Sequence, residues 1–382
     1  MPRNPLIKHP PWRQLLILSV LAPLVVSLAV LMFTWPAART GARSLPVGIV
    51  GTGAATQQTV RTLATVAPGA FELHLYADDA AARSAISDRE VYGAFEISSR
   101  RFTVLTASAA GPAVAQLLTT TAERLSTKAE PSLPPVAGSA VQDVVATSGD
   151  DPRGAIFTAA MTPLVLGGVI LAVLVAVLVG FRPAWREVVA LALVSAITGV
   201  GVHLVAQDYV GALPGGRIET WAALSLMLFA ISSFVAGLAA LLGPGGVAVG
   251  AIGMVFVGNP FSAVSSAPEL MPTAVGELGQ LMPPGAGANL LRSAAYFDGH
   301  GAAQHVVVLV VWSLLGIAAI VAGHRRSARR QAARHRTDLV ADGPFRESVP
   351  AESGSSVDCH SEGGHPVEVG EDRREFAEEA TV

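Results

Sequence analysis

Residue types that could do chemistry are few in this chain, and their spacing argues against most uses. Gly48, Gly51 and Gly53 follow an apolar run and precede a helical one. A dinucleotide fingerprint places glycines this way so that a pyrophosphate can reach a helix N-terminus. Here Gly51-x-Gly53 is followed by Thr56 where Gly or Ala is needed, and Asp78 and Asp79 lie beyond the next strand, which ends at Tyr76. The three glycines read instead as a turn with unusual backbone angles. His74, Asp78, Asp79, Ser84 and Ser87 supply base, acid and nucleophile types without a nucleophile elbow around them. Asp358-Cys359-His360 and His365 offer thiolate and imidazole donors without a zinc spacing. No GxxxxGK[ST] occurs, so ATP binding through a P-loop is excluded. The expectation is a protein with no catalytic residues, no cofactor and no metal, and no enzyme activity.

The elements that would have to position any functional group are mostly apolar. The 382 residues are 51% hydrophobic and 14% charged, with a mean hydropathy of +0.50, against about 25% charged for a soluble globular chain. Several stretches are uncharged over the roughly 20 residues needed to cross a ~30 Å hydrocarbon core as a helix. Six spans are expected, at 14–35, 155–181, 188–206, 220–242, 245–265 and 306–321. The first follows a short tail, 1–13, with Arg3, Lys8 and Arg13. Its apolar run, 15–33, exceeds the about 7–15 residues of a signal-peptide h-region, which favours an uncleaved anchor over a cleaved leader. Net charge is −3, and no basic run is interleaved with aromatics, so nucleic acid is not an expected partner. Arg outnumbers Lys 24 to 2, a composition of GC-rich bacterial genomes. The single cysteine, Cys359, rules out a disulfide within the chain.

Charge bias orients the spans. The basic tail, Arg182 and Arg186 between the second and third spans, and the run from Arg325 to Arg336 fall on one side if there are six spans. The positive-inside rule makes that side cytoplasmic, so both termini are expected there, in the bacterial cell membrane. Residues 40–154 then form an extracytoplasmic α/β domain between the first two spans. Strands are expected at 45–50, 71–76, 91–97 and 101–106, the last two joined by a turn at 98–100, with helices at 55–65, 78–87 and 111–128. Pro131, Pro134 and Pro135 break structure before the chain returns to the membrane. The fold class is therefore an α-helical membrane protein with six transmembrane helices and an extracytoplasmic α/β domain inserted between the first and second. Gly246 and Gly250 have GxxxG spacing, which serves packing within a bundle or a homodimer face.

Residues 266–302, between the last two spans, stay apolar and contain Leu281-Met282-Pro283-Pro284-Gly285, then an amphipathic stretch from Ala286 to Phe297. Irregular backbone at membrane depth must be packed in protein or line a cavity. This segment reads as re-entrant-like, one or two short helices at or dipping into the outer surface, with an ordinary external loop as the alternative. Residues 324–336 are basic, and 337–382 carry twelve Asp/Glu with Gly, Ser and Pro throughout, the composition of a disordered cytoplasmic tail. The basic part reads as an anchor on anionic lipid headgroups. Mid-span, no Asp, Glu, Lys or Arg occurs; His203, Glu187 and Glu219 sit near span ends. That absence argues against a proton-coupled carrier.

On this plan, and on Leu45-Pro46-Val47-Gly48-Ile49-Val50, Val91-Tyr92-Gly93-Ala94-Phe95, Gly258-Asn259-Pro260-Phe261 and 281–285, the chain over about 10–325 resembles ABC type-2 exporter permeases, nearest their YhgE/Pip-like branch. The resemblance implies a permease subunit that exports an amphiphile, drug or envelope component, with energy from a separate ATPase, as a homodimer or heterodimer of permeases among membrane lipids. It makes Arg182, Trp185, Arg186 and Glu187 a candidate ATPase-coupling loop, and Asn259, Pro260, Pro283, Pro284 and Gly285 a candidate external gate segment. Two features depart from the family plan: a short N-terminal tail with four prolines, and a short loop at 181–187. The alternative is a non-transporting envelope protein whose external domain binds a partner or a phage.

Overall fold

A computed structural model of the chain describes residues 12–97, 102–128, 140–179 and 183–341. The basic 1–11 tail, Arg182, the turn at 98–100, Pro131, Pro134, Pro135 and the acidic tail with Cys359, His360 and His365 lie outside the described residues. Residues 1–331 form one compact unit and 332–382 a second, of which only the end of one helix is described.

Six helices are long and apolar enough to cross a membrane, the composition and length of a multi-pass membrane protein. The first is α1, Trp12–Ala38. The small domain follows: β1 Leu45–Val50, α2 Ala54–Val66, β2 Phe71–Tyr76, α3 Asp79–Ser87, β3 Gly93–Ile97, β4 Phe102–Thr106, α4 Pro112–Lys128 and β5 Ala140–Asp143. The bundle continues with α5 Ala155–Val179, α6 Ala184–His203 extended by a π-helix to Tyr209, and α7 Arg217–Leu242. The fifth helix is built of α8 Pro244–Ala251, a π-helical stretch Ile252–Gly258 and α9 Asn259–Phe261. The segment before the last span holds a 3-10 turn at Pro268–Leu270, α10 Thr273–Gln280 and α11 Pro283–Tyr296. The last helix, α12, runs Ala302–Ala341, well beyond the expected 306–321, because the basic stretch simply continues the helix. The third helix likewise starts four residues before its expected 188. Charged residues at helix ends lie outside the hydropathy window that locates a span but cost the helix nothing.

The sheet is mixed, in the order β2-β1-β3-β4-β5. β1 pairs parallel with β2 and β3, β3 pairs antiparallel with β4, and β4 pairs parallel with β5. Strand β5 was not anticipated, since Ala140-Val141-Gln142-Asp143 is short, exposed and unpatterned. Gly51 at φ 133° and Gly53 at φ 111° make the turn after β1, angles closed to residues with a Cβ. The acidic and hydroxyl side chains noted in the sequence serve the fold. Asp78 caps α3 by accepting from Ala81 N at 2.8 Å, Asp79 pairs with Arg83 at 2.6 Å, and the Ser84 hydroxyl bonds Asp88 at 3.1 Å.

The domain core does not close with the domain's own residues. Leu45, Val47, Ile49, Phe95, Val104 and Leu118 pack with Ala267 and Leu270 from the segment before the last span. Backbone bonds reinforce this: Gly41 N donates to Leu270 O at 2.9 Å and Arg43 N to Glu269 O at 3.0 Å. Within the bundle the hydrophobic effect does not hold helix to helix in lipid, so close packing must. A Cβ added at Gly316 of α12 would overlap the backbone of Ser233 and Phe234 on α7, so the two helices touch backbone to backbone there. Gly250 likewise faces Val235 of α7, at 3.1 Å from a built Cβ; the Gly246–Gly250 pair packs inside the bundle. Around α1, Leu16, Leu18, Val20 and Leu24 remain exposed, as lipid-facing side chains do, and Phe33 meets Phe256 edge-on at 6.4 Å.

Candidate functional site

Met282 in extended backbone, followed by Pro283 and Pro284 in the first turn, starts α11, because proline lacks only an N–H that the first turn would leave unpaired. Residues 283–295 are then buried on every side. The stretch from Ala286 therefore has no solvent face, contrary to its amphipathic reading; α7 and α5 cover it. The helix is steeply placed. Its far neighbour Leu281 accepts from Trp312 Nε1 at 2.7 Å, and Trp312 lies ten residues into α12, about 15 Å along its axis. Its C-terminal end, by contrast, adjoins the start of α12. So α11 begins near mid-bundle and rises toward the end that carries the sheet, here the sheet end.

The fifth helix is interrupted at matching depth. A proline ring clashes with the carbonyl four residues earlier in a regular α-helix, and the wide π-turns of 252–258 come immediately before Asn259-Pro260. Asn259 Nδ2 donates to Thr162 Oγ1 of α5 at 3.0 Å. Gly258 faces Pro284: a Cβ there would lie 2.8 Å from Pro284 Cγ. Gly285 abuts the backbone of Gly279 at the end of α10, and Gln280 Nε2 donates to Ser262 O at 3.1 Å. The structure thus brings Asn259, Pro260, Pro283, Pro284 and Gly285 into one junction.

Above that junction a polar network joins the domain to α11. Arg89 follows α3 in left-handed backbone, φ 63°, a position helices usually give to glycine. Its guanidinium donates to Asn289 O at 3.2 Å, Asn289 Oδ1 at 3.0 Å and Ser293 Oγ at 2.5 Å, and stacks on Phe297. Arg292, 3% exposed, donates to the same Asn289 Oδ1 at 3.1 Å and to Val264 O at 2.7 Å, over the Phe157 ring. Two guanidiniums thus share one neutral amide oxygen. Burial and the neighbouring Arg89 depress Arg292 to about 10, and burial lowers Arg89 as well. Glu269, whose charge acts on Arg89, accepts from Tyr92 at 2.9 Å. Tyr296 donates to Ala212 O at 2.6 Å, and burial pushes its hydroxyl up to about 12. In sequence, the one signal for Arg292 and Asn289 is a charged residue within the apolar run 286–297.

The coupling-loop residues are divided. Arg182 is outside the described residues. Trp185 and Arg186 are exposed and stacked at 5.4 Å. Glu187 is not on a loop: it lies in the first turn of α6, 5% exposed, with Oε2 3.3 Å from His324 Nε2. His324 Nδ1 lies 2.9 Å from Ile320 O. A carbonyl only accepts, so Nδ1 carries hydrogen, and Nε2 then faces a carboxylate oxygen. The pair joins the first turn of α6 to the later part of α12. It borders a cavity of about 580 Å³ at the far end of the bundle, lined also by Ala176, residues 239–243, Gly323, Arg326, Ser327 and Arg330. Among the described residues no group of three or more His, Cys, Asp or Glu could hold a metal. Comparison with protein-family models, curated proteins and solved structures returns no match for this chain.

Proposed function

We propose that this chain is the membrane-embedded permease subunit of an ABC type-2-like exporter, moving an amphiphile, drug or envelope component with energy from a separate ATPase. In this reading it sits in the bacterial plasma membrane as a homodimer or heterodimer, with both termini cytoplasmic and the sheet domain outside. The observation that carries it is the junction at half depth, where the interrupted fifth helix meets the start of α11. A path through the bundle needs a place where backbone and small side chains can part, and two broken segments meeting there supply one. Central positions without Asp, Glu, Lys or Arg fit a pump driven from outside the chain. Basic residues Arg186, Arg325, Arg326, Arg329 and Arg330 stand at the end opposite the sheet, in line with a cytoplasmic far end.

Co-expression with the neighbouring reading frames, purification and reconstitution into proteoliposomes tests this. A nucleotide-binding subunit copurifies and ATP drives movement of an amphiphile, and Pro284→Leu, which crowds Gly258, slows it. If no such subunit ever associates and ATP never alters transport, the reading fails. The second reading, an envelope protein whose external domain binds a partner or a phage, is favoured by strand β2 lying at the sheet edge with Leu75 exposed on it. Its discriminating variant is Leu75→Asp on the exposed edge strand β2: partner capture is lost in that reading, whereas transport is untouched in the first.

A further inference from the structure

We infer that the far-end cavity is a binding site for the phosphate head of an anionic phospholipid, with Arg326 and Arg330 as its ligands and Ser327 as a hydroxyl donor between them. The inference is independent of whether the chain transports anything.

The cavity has two chemically distinct sides. Arg326 and Arg330 are spaced i,i+4, so both guanidiniums leave the same face of α12, with Ser327 on that face and Gly323 one turn before. Guanidinium forks match phosphate oxygens bidentately. The opposite wall is apolar: Ala176 near the end of α5 and Leu241 and Leu242 at the end of α7. That wall continues onto Val177, Leu178 and Leu242, which are exposed on the bundle surface where lipid chains run. A ligand that satisfies both sides has an anionic head and a hydrocarbon tail, which a free ion lacks. The volume, about 580 Å³, lies within the ~300–1,000 Å³ of small-molecule sites.

The one carboxylate on the lining is outnumbered. Glu187 Oε2 lies 3.3 Å from His324 Nε2, and the same lining carries the two guanidiniums of Arg326 and Arg330. Position along the helix agrees: the cavity lies where α12 passes from its apolar part, ending near Gly323, to its basic part, the depth of a lipid phosphate.

A diffuse basic surface would also attract anionic lipid, so the test must separate pocket from surface. Arg325 and Arg329 are spaced like Arg326 and Arg330 but are not on the lining. The full chain in detergent is titrated with palmitoyl-oleoyl phosphatidylglycerol, with phosphatidylcholine and with inorganic phosphate, and bound lipid is counted by native mass spectrometry. Phosphatidylglycerol binds with a stoichiometry of one per chain, and neither of the others competes at equal concentration. R326Q/R330Q weakens binding about thirty-fold, from roughly tenfold or less per lost guanidinium, while R325Q/R329Q changes it less than twofold. Ala176→Phe, which fills the cavity from its apolar wall without altering charge, also loses binding. Equal losses for the two double variants, or unaltered binding in Ala176→Phe, overturns the pocket in favour of a diffuse surface. Competition by inorganic phosphate as strong as by lipid overturns the lipid assignment.

Discussion

Replacing Asn289 with aspartate raises the thermal stability of this protein, against the usual expectation for a charge placed in a buried position. The amide oxygen of Asn289 lies 3.0 Å from Arg89 Nη2 and 3.1 Å from Arg292 Nη1. Aspartate is nearly isosteric and puts one negative charge across its two carboxylate oxygens, one of them at that position. At charge separations of about 4 Å and an effective dielectric near 20, each new attraction is worth about 4 kcal/mol. Desolvating the carboxylate costs several kcal/mol. The bond from Asn289 Nδ2 to Gln280 Oε1 is also lost, at about 1–3 kcal/mol. The balance is a gain of about 1–3 kcal/mol, or a rise of several degrees in melting temperature. Scanning fluorimetry of the purified chain at one heating rate measures it, with Asn289→Leu alongside. The leucine variant leaves two guanidiniums without their shared acceptor and melts lower, by an amount equivalent to about 3–5 kcal/mol. In an Arg89→Gln background one attraction of about 4 kcal/mol is lost, so aspartate there no longer stabilises and costs about 1–3 kcal/mol. A melting point of Asn289→Asp at or below that of the natural sequence refutes the idea that this junction holds uncompensated positive charge.

Three further outcomes follow from the same geometry. Arg89 sits at φ 63°, so Arg89→Gly and Arg89→Ala both lose the bonds to α11, but the alanine variant melts lower by the equivalent of about 1 kcal/mol; equal melting points sink the backbone argument. Gly316→Val drives a side chain into the backbone of Ser233 and Phe234, lowering stability by about 1–3 kcal/mol or more and parting Trp312 from Phe234, which shifts Trp emission; an unchanged spectrum and melting point would show that α7 and α12 do not touch there. The Tyr296 hydroxyl is raised to about 12 in the folded chain from an ordinary value near 10. The stability it lends is full below pH 10 and is lost as pH rises toward 12, by up to about 2–3 kcal/mol. Denaturation profiles of the natural chain and Tyr296→Phe converge over that window, and parallel profiles would refute the assignment.

The parts of this fold legible in the sequence are those written in local pattern. Uninterrupted apolar runs placed the six helices, since a span advertises itself by length and lack of charge alone. Strand β1 was legible because Leu45 to Val50 is apolar, and its limits coincide with the pairing to β2. What stayed hidden depends on partners distant in sequence. Strand β5 carries no pattern of its own and exists because β4 offers it an edge. The burial of α11 on all sides was hidden because Ser293, Asn289 and Arg292 look like a polar face, yet Asn289 and Ser293 meet Arg89, about 200 residues earlier, and Arg292 meets Val264 and Phe157. Glu187 reads as a loop residue for the same reason: the side chain it faces, His324, is distant in sequence. The turn reading holds for Gly51 and Gly53, whose φ is positive, whereas Gly48 lies inside β1, where its missing Cβ lets Ala94 and Tyr76 approach.

The closing of the sheet's core by Ala267 and Leu270 has a consequence for biosynthesis. The domain's own strands and helices are complete in the nascent chain by residue 143, but two buried apolar residues and the backbone partners of Gly41 and Arg43 arrive only after three more spanning helices and the interrupted fifth. At roughly 5–20 residues per second, about 125 residues take some 6–25 s. Throughout that interval the domain has an open apolar flank, so its maturation is timed by helix insertion and it is a natural point for chaperone attendance. A chain that stalls before residue 270 leaves the flank open, so a closed sheet core reports that synthesis has passed the fifth helix.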